Sequence, residues 1–174
     1  MILLDGKKTS NDIKDEIALE VSEIVNNGGK KPHLAAILVG NNGASETYVN
    51  AKVKACEKVG FDSTLIRLDE SVKEEELINE IIKINTNDSI DGLIVQLPLP
   101  RHIDEKKIIN TISKEKDVDG FHPVNLGNLM SQEKTAFIPC TPLGCLYLIK
   151  QVDSDLTGKN AVVMGRSITV GKPV

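Results

Sequence analysis

The order of apolar patterns along this chain predicts an α/β fold: a parallel sheet with helices on both faces. Several stretches carry apolar residues at helical spacing, and short runs rich in Val, Ile and Leu stand between them. The two kinds of segment alternate as β-α-β-α-β, and parallel neighbours in one sheet need a crossover that a helix supplies.

Each element has its own warrant. Ile13, Ile17, Val21 and Ile24 mark a first helix, which the run Asn26 to Gly29 stops. "HLAAILVG" then reads as a buried strand ending at Gly40, because its apolar residues run on without alternation. A second helix occupies "SETYVNAKVKACEKVG", Ser45 to Gly60, and "STLIRL", Ser63 to Leu68, is the next strand. Ser71 and Glu74 stand at the spacing of a capping box, opening a helix through Leu77, Ile81 and Ile84. "DGLIVQL", Asp91 to Leu97, reads as the third strand. Near the end, Ala161 to Met164 reads as a further strand that runs into a glycine-containing loop, with a helix start expected at Pro173.

Composition narrows the function classes. The net charge of −4 comes from 21 basic and 25 acidic residues spread along 174 positions, so no basic stripe argues for nucleic acid or an anionic membrane surface. "MILLDGKKTS" lacks a signal-peptide pattern, and no apolar run is long enough to cross a bilayer. The three cysteines, Cys56, Cys140 and Cys145, have no metal-ligand spacing. The expectation is a cytoplasmic, soluble protein of small-molecule chemistry, with no metal.

One position breaks the amphipathic pattern of the second helix. At about 100° per residue, Val49, Val53, Cys56 and Val59 fall within roughly 120° of one another, while Asn50, Lys54, Glu57 and Lys58 take the opposite side. Lys52 projects inside the apolar stripe, close to Tyr48. A long lysine stem lying on apolar surface with its ammonium in water is one account of this; a functional amine is the other. Ligands on open α/β sheets gather outside the carboxyl ends of the strands, where the loop "GNNGAS" leads into this helix. Gln96 closes the third strand at the same edge. An amide there needs a partner, and Lys52 is a candidate.

Two other motifs invite familiar readings and fail them. Asp117 and Asp119 in "KEKDVDGFHPVNLGNL" suggest a calcium loop, but Phe121 stands where an oxygen ligand is required and Asn128 where a glutamate is. As a turn, "DVDG" accounts for its aspartates by local backbone bonding. The loop from Gly165 to Gly171 has neither the spacing of a P-loop nor the second glycine of G-x-G-x-x-G, since Ser167 occupies that place. A strand, a turn with Arg166 and Ser167 and a following helix could still hold a phosphate on backbone amides.

Together, "SETYVNAKVKACEKVGF", "DGLIVQLPLP", "KDVDGFHPVNLGNL", "PCTPLG" and "GRSITVGKPV", in this order and spacing, resemble the bifunctional methylenetetrahydrofolate dehydrogenase/methenyltetrahydrofolate cyclohydrolase family. The resemblance implies a folate-binding catalytic domain over residues 1–139, then a linking helix and the beginning of a Rossmann-like NADP-binding domain over 140–174. It implies Lys52 as the catalytic group, Tyr48 against the folate rings, Gln96 as partner of the lysine and Asp119 as the residue gripping the pterin. Ser45 is expected to support the helix start, and Gly165, Arg166 and Ser167 to lie near the dinucleotide phosphates. Homodimers are what the family implies. Hydride would pass from 5,10-methylenetetrahydrofolate to NADP, and water would convert the methenyl cation to 10-formyltetrahydrofolate. A lysine held in an apolar stripe loses hydration, which disfavours its ammonium form, so Lys52 is expected to be buried and neutral. The family's nucleotide domain continues well past the glycine loop, whereas this sequence stops at Val174. A chain keeping only cyclohydrolase activity or only folate binding is the alternative expectation.

Overall fold

The structure, a computed structural model, describes residues 3–174. Its elements are α1 (Gly6–Asn26), β1 (His33–Val39), α2 (Gly43–Val59), β2 (Asp62–Leu68), α3 (Glu74–Asn85), β3 (Gly92–Val95), α4 (Glu105–Thr111), α5 (Pro123–Met130) and α6 (Cys140–Lys150). The chain divides into two compact units: Lys14–Val118, and the chain up to Ile13 together with Asp119–Val174.

The first of these units is the expected parallel sheet, with order β2-β1-β3. The uninterrupted apolar run of β1 takes the centre, with a paired strand along each edge; Ala35 to Val39 are all buried. Its period of two sorts the core. Ala35, Ile37 and Val39 pack with Leu77, Ile81 and Ile84 of α3 and Ile108 of α4. Ala36 and Leu38 face the other way, onto Val49 of α2 and Leu65 of β2. Register sets Ile37 against Ile66 on one side and Val95 on the other. The outer edge of β3 is closed by the segment around Asp117, where the Leu93 N–H donates to the Lys116 carbonyl at 2.7 Å. That closure needs Gly92, since a Cβ there would lie 2.7 Å from Val118 Cγ1.

Four expectations are corrected. Ser71 and Glu74 form no capping box: α3 starts at Glu74 after Lys73, with no side-chain cap. Asp69 takes both the N–H and the hydroxyl of Ser71, and Glu74 accepts the Asp104 N–H and pairs with Lys107. The third strand is shorter than "DGLIVQL": it covers Gly92–Val95, and its last bond to β1 is that of the Gln96 N–H to the Ile37 carbonyl. Ala161 to Met164 is not a strand: no described residue pairs with it, Val162 is 90% and Met164 99% exposed, and a lone strand has no ladder to stabilise it. The turn after the glycine loop starts before Pro173, as Ser167 Oγ accepts the N–H groups of Val170 and Gly171 at 3.1 and 3.2 Å.

In the second unit, α5 opens with Pro123 at its first position, and His122 Nδ1 accepts the Val124 N–H at 3.2 Å. No helix among the described residues is long and apolar enough to cross a membrane.

Candidate active site

The core assignments place α2 on one face of the sheet and α3 and α4 on the other, so the loops after β1 and after β3 part at the carboxyl edge. Such a parting is where ligands of open α/β sheets bind. The loop after β1 turns at Gly40, whose φ of 76° suits glycine, and delivers the chain to Asn42. Asn42 is the N-cap of α2: its Oδ1 accepts from Ala44 N at 3.0 Å and Ser45 N at 3.1 Å. Ser45, expected to support the helix start, lies in this first turn; it is buried, and its N–H is one of the two that Asn42 satisfies.

Down α2, Tyr48 and Lys52 stand one turn apart on a helix whose Val49, Cys56 and Val59 are buried. Tyr48 is 65% exposed, which excludes a core aromatic. Lys52 is half-buried rather than buried, because a side chain on the margin of the apolar stripe reaches outward along it. Its Nζ donates to Gln96 Oε1 at 3.1 Å, joining two elements 44 residues apart. Gln96 follows the last residue of β3, and its N–H still bonds the Ile37 carbonyl at 2.9 Å, continuing the ladder by one step. Its side-chain Nε2 donates to the Leu97 carbonyl at 2.8 Å. Arg67 of β2 pairs at 2.9 Å with Glu46, in the first turn of α2. Burial pushes the Cys56 thiol up from its ordinary pKa, so that thiol stays protonated and inert.

A cavity of about 310 Å³ opens at the same carboxyl edge, between the loops after β1 and β3. Gly40, Asn41, Asn42 and Glu70 form one part of its wall and Pro98, Leu99 and Pro100 another.

The remaining predicted residues lie in the second unit. Asp119 is half-buried, and Cys140 Sγ approaches its Oδ1 at 4.0 Å. Gly120, with φ of 70°, passes so close to the backbone of residues 137–139 that a Cβ would meet it at 2.8 Å. In the glycine loop, Arg166 is exposed and makes no hydrogen bond or ion pair with a described residue. Gly171 touches the backbone of Gly165 and Arg166, and a Cβ on it would stand 2.4 Å from Gly165 C. The loop is thus folded tightly enough to bring a free guanidinium and the Ser167 hydroxyl onto one short segment. Acceptance of two N–H groups leaves Ser167 its own O–H to donate, and donors of both kinds suit a phosphate.

Residues 4–119 match the family model described as tetrahydrofolate dehydrogenase/cyclohydrolase, catalytic domain. The chain belongs to this family. Residues 139–174 match the model of the family's NAD(P)-binding domain. The chain is 58% identical over 174 residues to the bifunctional protein FolD of Flavobacterium johnsoniae, covering all of this chain and 59% of that protein. The crystal structure of the bifunctional FolD from Campylobacter jejuni matches 99% of this chain and 61% of its own, with TM-score 0.95 and 46% identity. The Trypanosoma brucei FolD, solved with NADP cofactor and an inhibitor, matches 99% of this chain and 59% of its own, with TM-score 0.93 and 34% identity. The chain therefore spans about 59% of the length of the curated relatives it matches.

Within this dehydrogenase/cyclohydrolase family chain, the Lys52–Gln96 contact is the one predicted pairing between distant elements that an observed hydrogen bond joins. Sequence reasoning missed Asn42, the Leu97 carbonyl and Cys140. Asn42 had a usable signal, an Asn directly before a helical stripe. The Leu97 carbonyl had none, because every residue has a carbonyl.

Proposed function

We propose that this chain supplies the folate-binding and cyclohydrolase machinery of an NADP-dependent methylenetetrahydrofolate dehydrogenase/methenyltetrahydrofolate cyclohydrolase of one-carbon metabolism. The observation that carries the reading is the half-buried Lys52 amine, held by a neutral amide at 3.1 Å beside an exposed tyrosine. Tyr48 offers its ring to the planar folate. As water adds to the methenyl carbon, a C–O bond forms, the C=N π pair returns to nitrogen, and the water proton passes to the Lys52 amine as general base. Gln96 holds the amine without adding a counter-charge, which would favour the ammonium form. Asp119 accepts N–H groups of the pterin.

Gly165, Arg166 and Ser167 would hold the phosphates of NADP, the acceptor that takes the hydride from the methylene carbon in the dehydrogenase step. The exposed Arg166 guanidinium and the Ser167 O–H, left to donate, support that reading. We place the boundary between the folate-binding and nucleotide-binding parts at 139/140, next to the start of the second family match. The assembly proposed is a cytoplasmic homodimer.

Loss of methenyltetrahydrofolate absorbance in the presence of the chain, with no nucleotide added, tests the hydrolysis. A chain that binds folate and leaves that absorbance at its uncatalysed decay would restrict it to binding.

A further inference from the structure

The carboxamide of Gln96 has two chemically opposite ends, and which of them meets Lys52 decides what the amine can do. Oε1 faces Lys52 Nζ at 3.1 Å, while Nε2 donates to the main-chain carbonyl of the next residue, Leu97, at 2.8 Å. A neutral amine has two N–H donors and one lone pair. If the NH₂ end of Gln96 faced it, that lone pair would accept the amide N–H and be occupied. With Oε1 facing it, the amine spends an N–H on Gln96 and keeps its lone pair for a water proton. The ammonium form donates to the same oxygen, so the contact survives proton uptake without any rotation of the amide.

We infer that the Leu97 carbonyl is a positioning group for the base: by accepting the Gln96 N–H it locks the amide so that only oxygen is presented to Lys52. The carbonyl is itself well placed for this, because Gln96 is anchored to β1 through its own N–H to Ile37 and Leu97 follows directly. An unlocked amide would be free to turn its NH₂ end to the neutral amine, quenching the base in the state in which it is needed. The inference rests on the reading of Lys52 as a base, yet the orientation itself can be measured without any turnover.

The test is nuclear magnetic resonance on the isotopically labelled 174-residue chain. A scalar coupling across the hydrogen bond between Gln96 Nε2 and the Leu97 carbonyl carbon is expected, with no nuclear Overhauser contact between the carboxamide protons and the Lys52 Hε protons. The same coupling is expected in a folded Lys52→Met variant, because the lock does not depend on the lysine. A missing coupling in the wild type, or a carboxamide contact to Lys52, would overturn the inference even if Lys52 proved to be the base. An amide that turns over in Lys52→Met would also overturn it, since Lys52 and not Leu97 would then be orienting Gln96. Conversely, an intact lock together with full hydrolysis by Lys52→Met would remove the base and leave the geometry standing.

Discussion

Replacing Lys52 by methionine separates chemistry from folding, because methionine keeps an apolar stem of similar length and removes only the amine. Loss of a positioned general base costs about 10²- to 10⁴-fold in rate, or about 2.7 to 5.4 kcal/mol of transition-state stabilisation. The cost in stability is smaller. One hydrogen bond is lost, the 3.1 Å contact to Gln96, with a net worth of about 0.5 to 1.5 kcal/mol. Gln96 keeps its bond to Leu97, and the half-buried position lets water replace the amine at Oε1. For a domain of this size that corresponds to a fall in Tm of no more than about 6 °C. The assay is the decay of methenyltetrahydrofolate absorbance, beside circular dichroism and a thermal melt. It is run, beside its unsubstituted parent, on a chimera in which this chain is continued by the rest of the Flavobacterium johnsoniae relative. A folded Lys52→Met chimera hydrolysing at the wild-type rate would refute the assignment. Collapse of the fold would instead assign Lys52 to packing.

In the same chimera, Asp119→Ala is expected to weaken folate binding by about 1.5 to 3 kcal/mol, the worth of a hydrogen bond to a charged group; unchanged affinity with a collapsed Tm would return Asp119 to its turn. Arg166→Ala should cost NADP about 1.5 to 3 kcal/mol and leave NAD little changed, since the guanidinium fork suits the 2′-phosphate; equal losses in parallel titrations would assign Arg166 to the shared pyrophosphate. The Lys107 ammonium and the Asp104 N–H hold the Glu74 carboxyl below the usual carboxylate range, so its contribution to stability is present above the unfolded pKa of about 4.3 and disappears as the pH falls through the folded value. Melts of Glu74→Gln and wild type should therefore differ at neutral pH and converge in acid; a constant gap would show that the carboxylate is not responsible. With a maleimide, the exposed Cys140 and Cys145 should react in the native chain, whereas Cys56, buried and with its pKa raised, should react only on unfolding. Labelling of all three thiols at one rate would contradict the burial of Cys56.

Much of this protein was legible before any tertiary contact was known, and for one reason: periodicity is a local property. The run Leu34 to Val39 could only be a strand covered on both faces, the stripe through Val49, Cys56 and Val59 could only be a helix laid on that sheet, and their alternation implied parallel order. The polar ends of apolar elements, Lys52 and Gln96, pointed to each other because neither amine nor amide is left unpartnered at low cost. Tertiary structure decided wherever several partners compete for one group. Ser71 and Glu74 have the spacing of a capping box, but Asp69 is nearer to the first, and Lys107 and Asp104, brought in from α4 and the residue before it, hold the second. Ala161 to Met164 has the composition of a strand, yet a strand exists only when another supplies its ladder. The direction of the Gln96 amide belongs to this second kind: side-chain type says that the group has a donor and an acceptor, and only the position of the Leu97 carbonyl says which of the two meets the lysine.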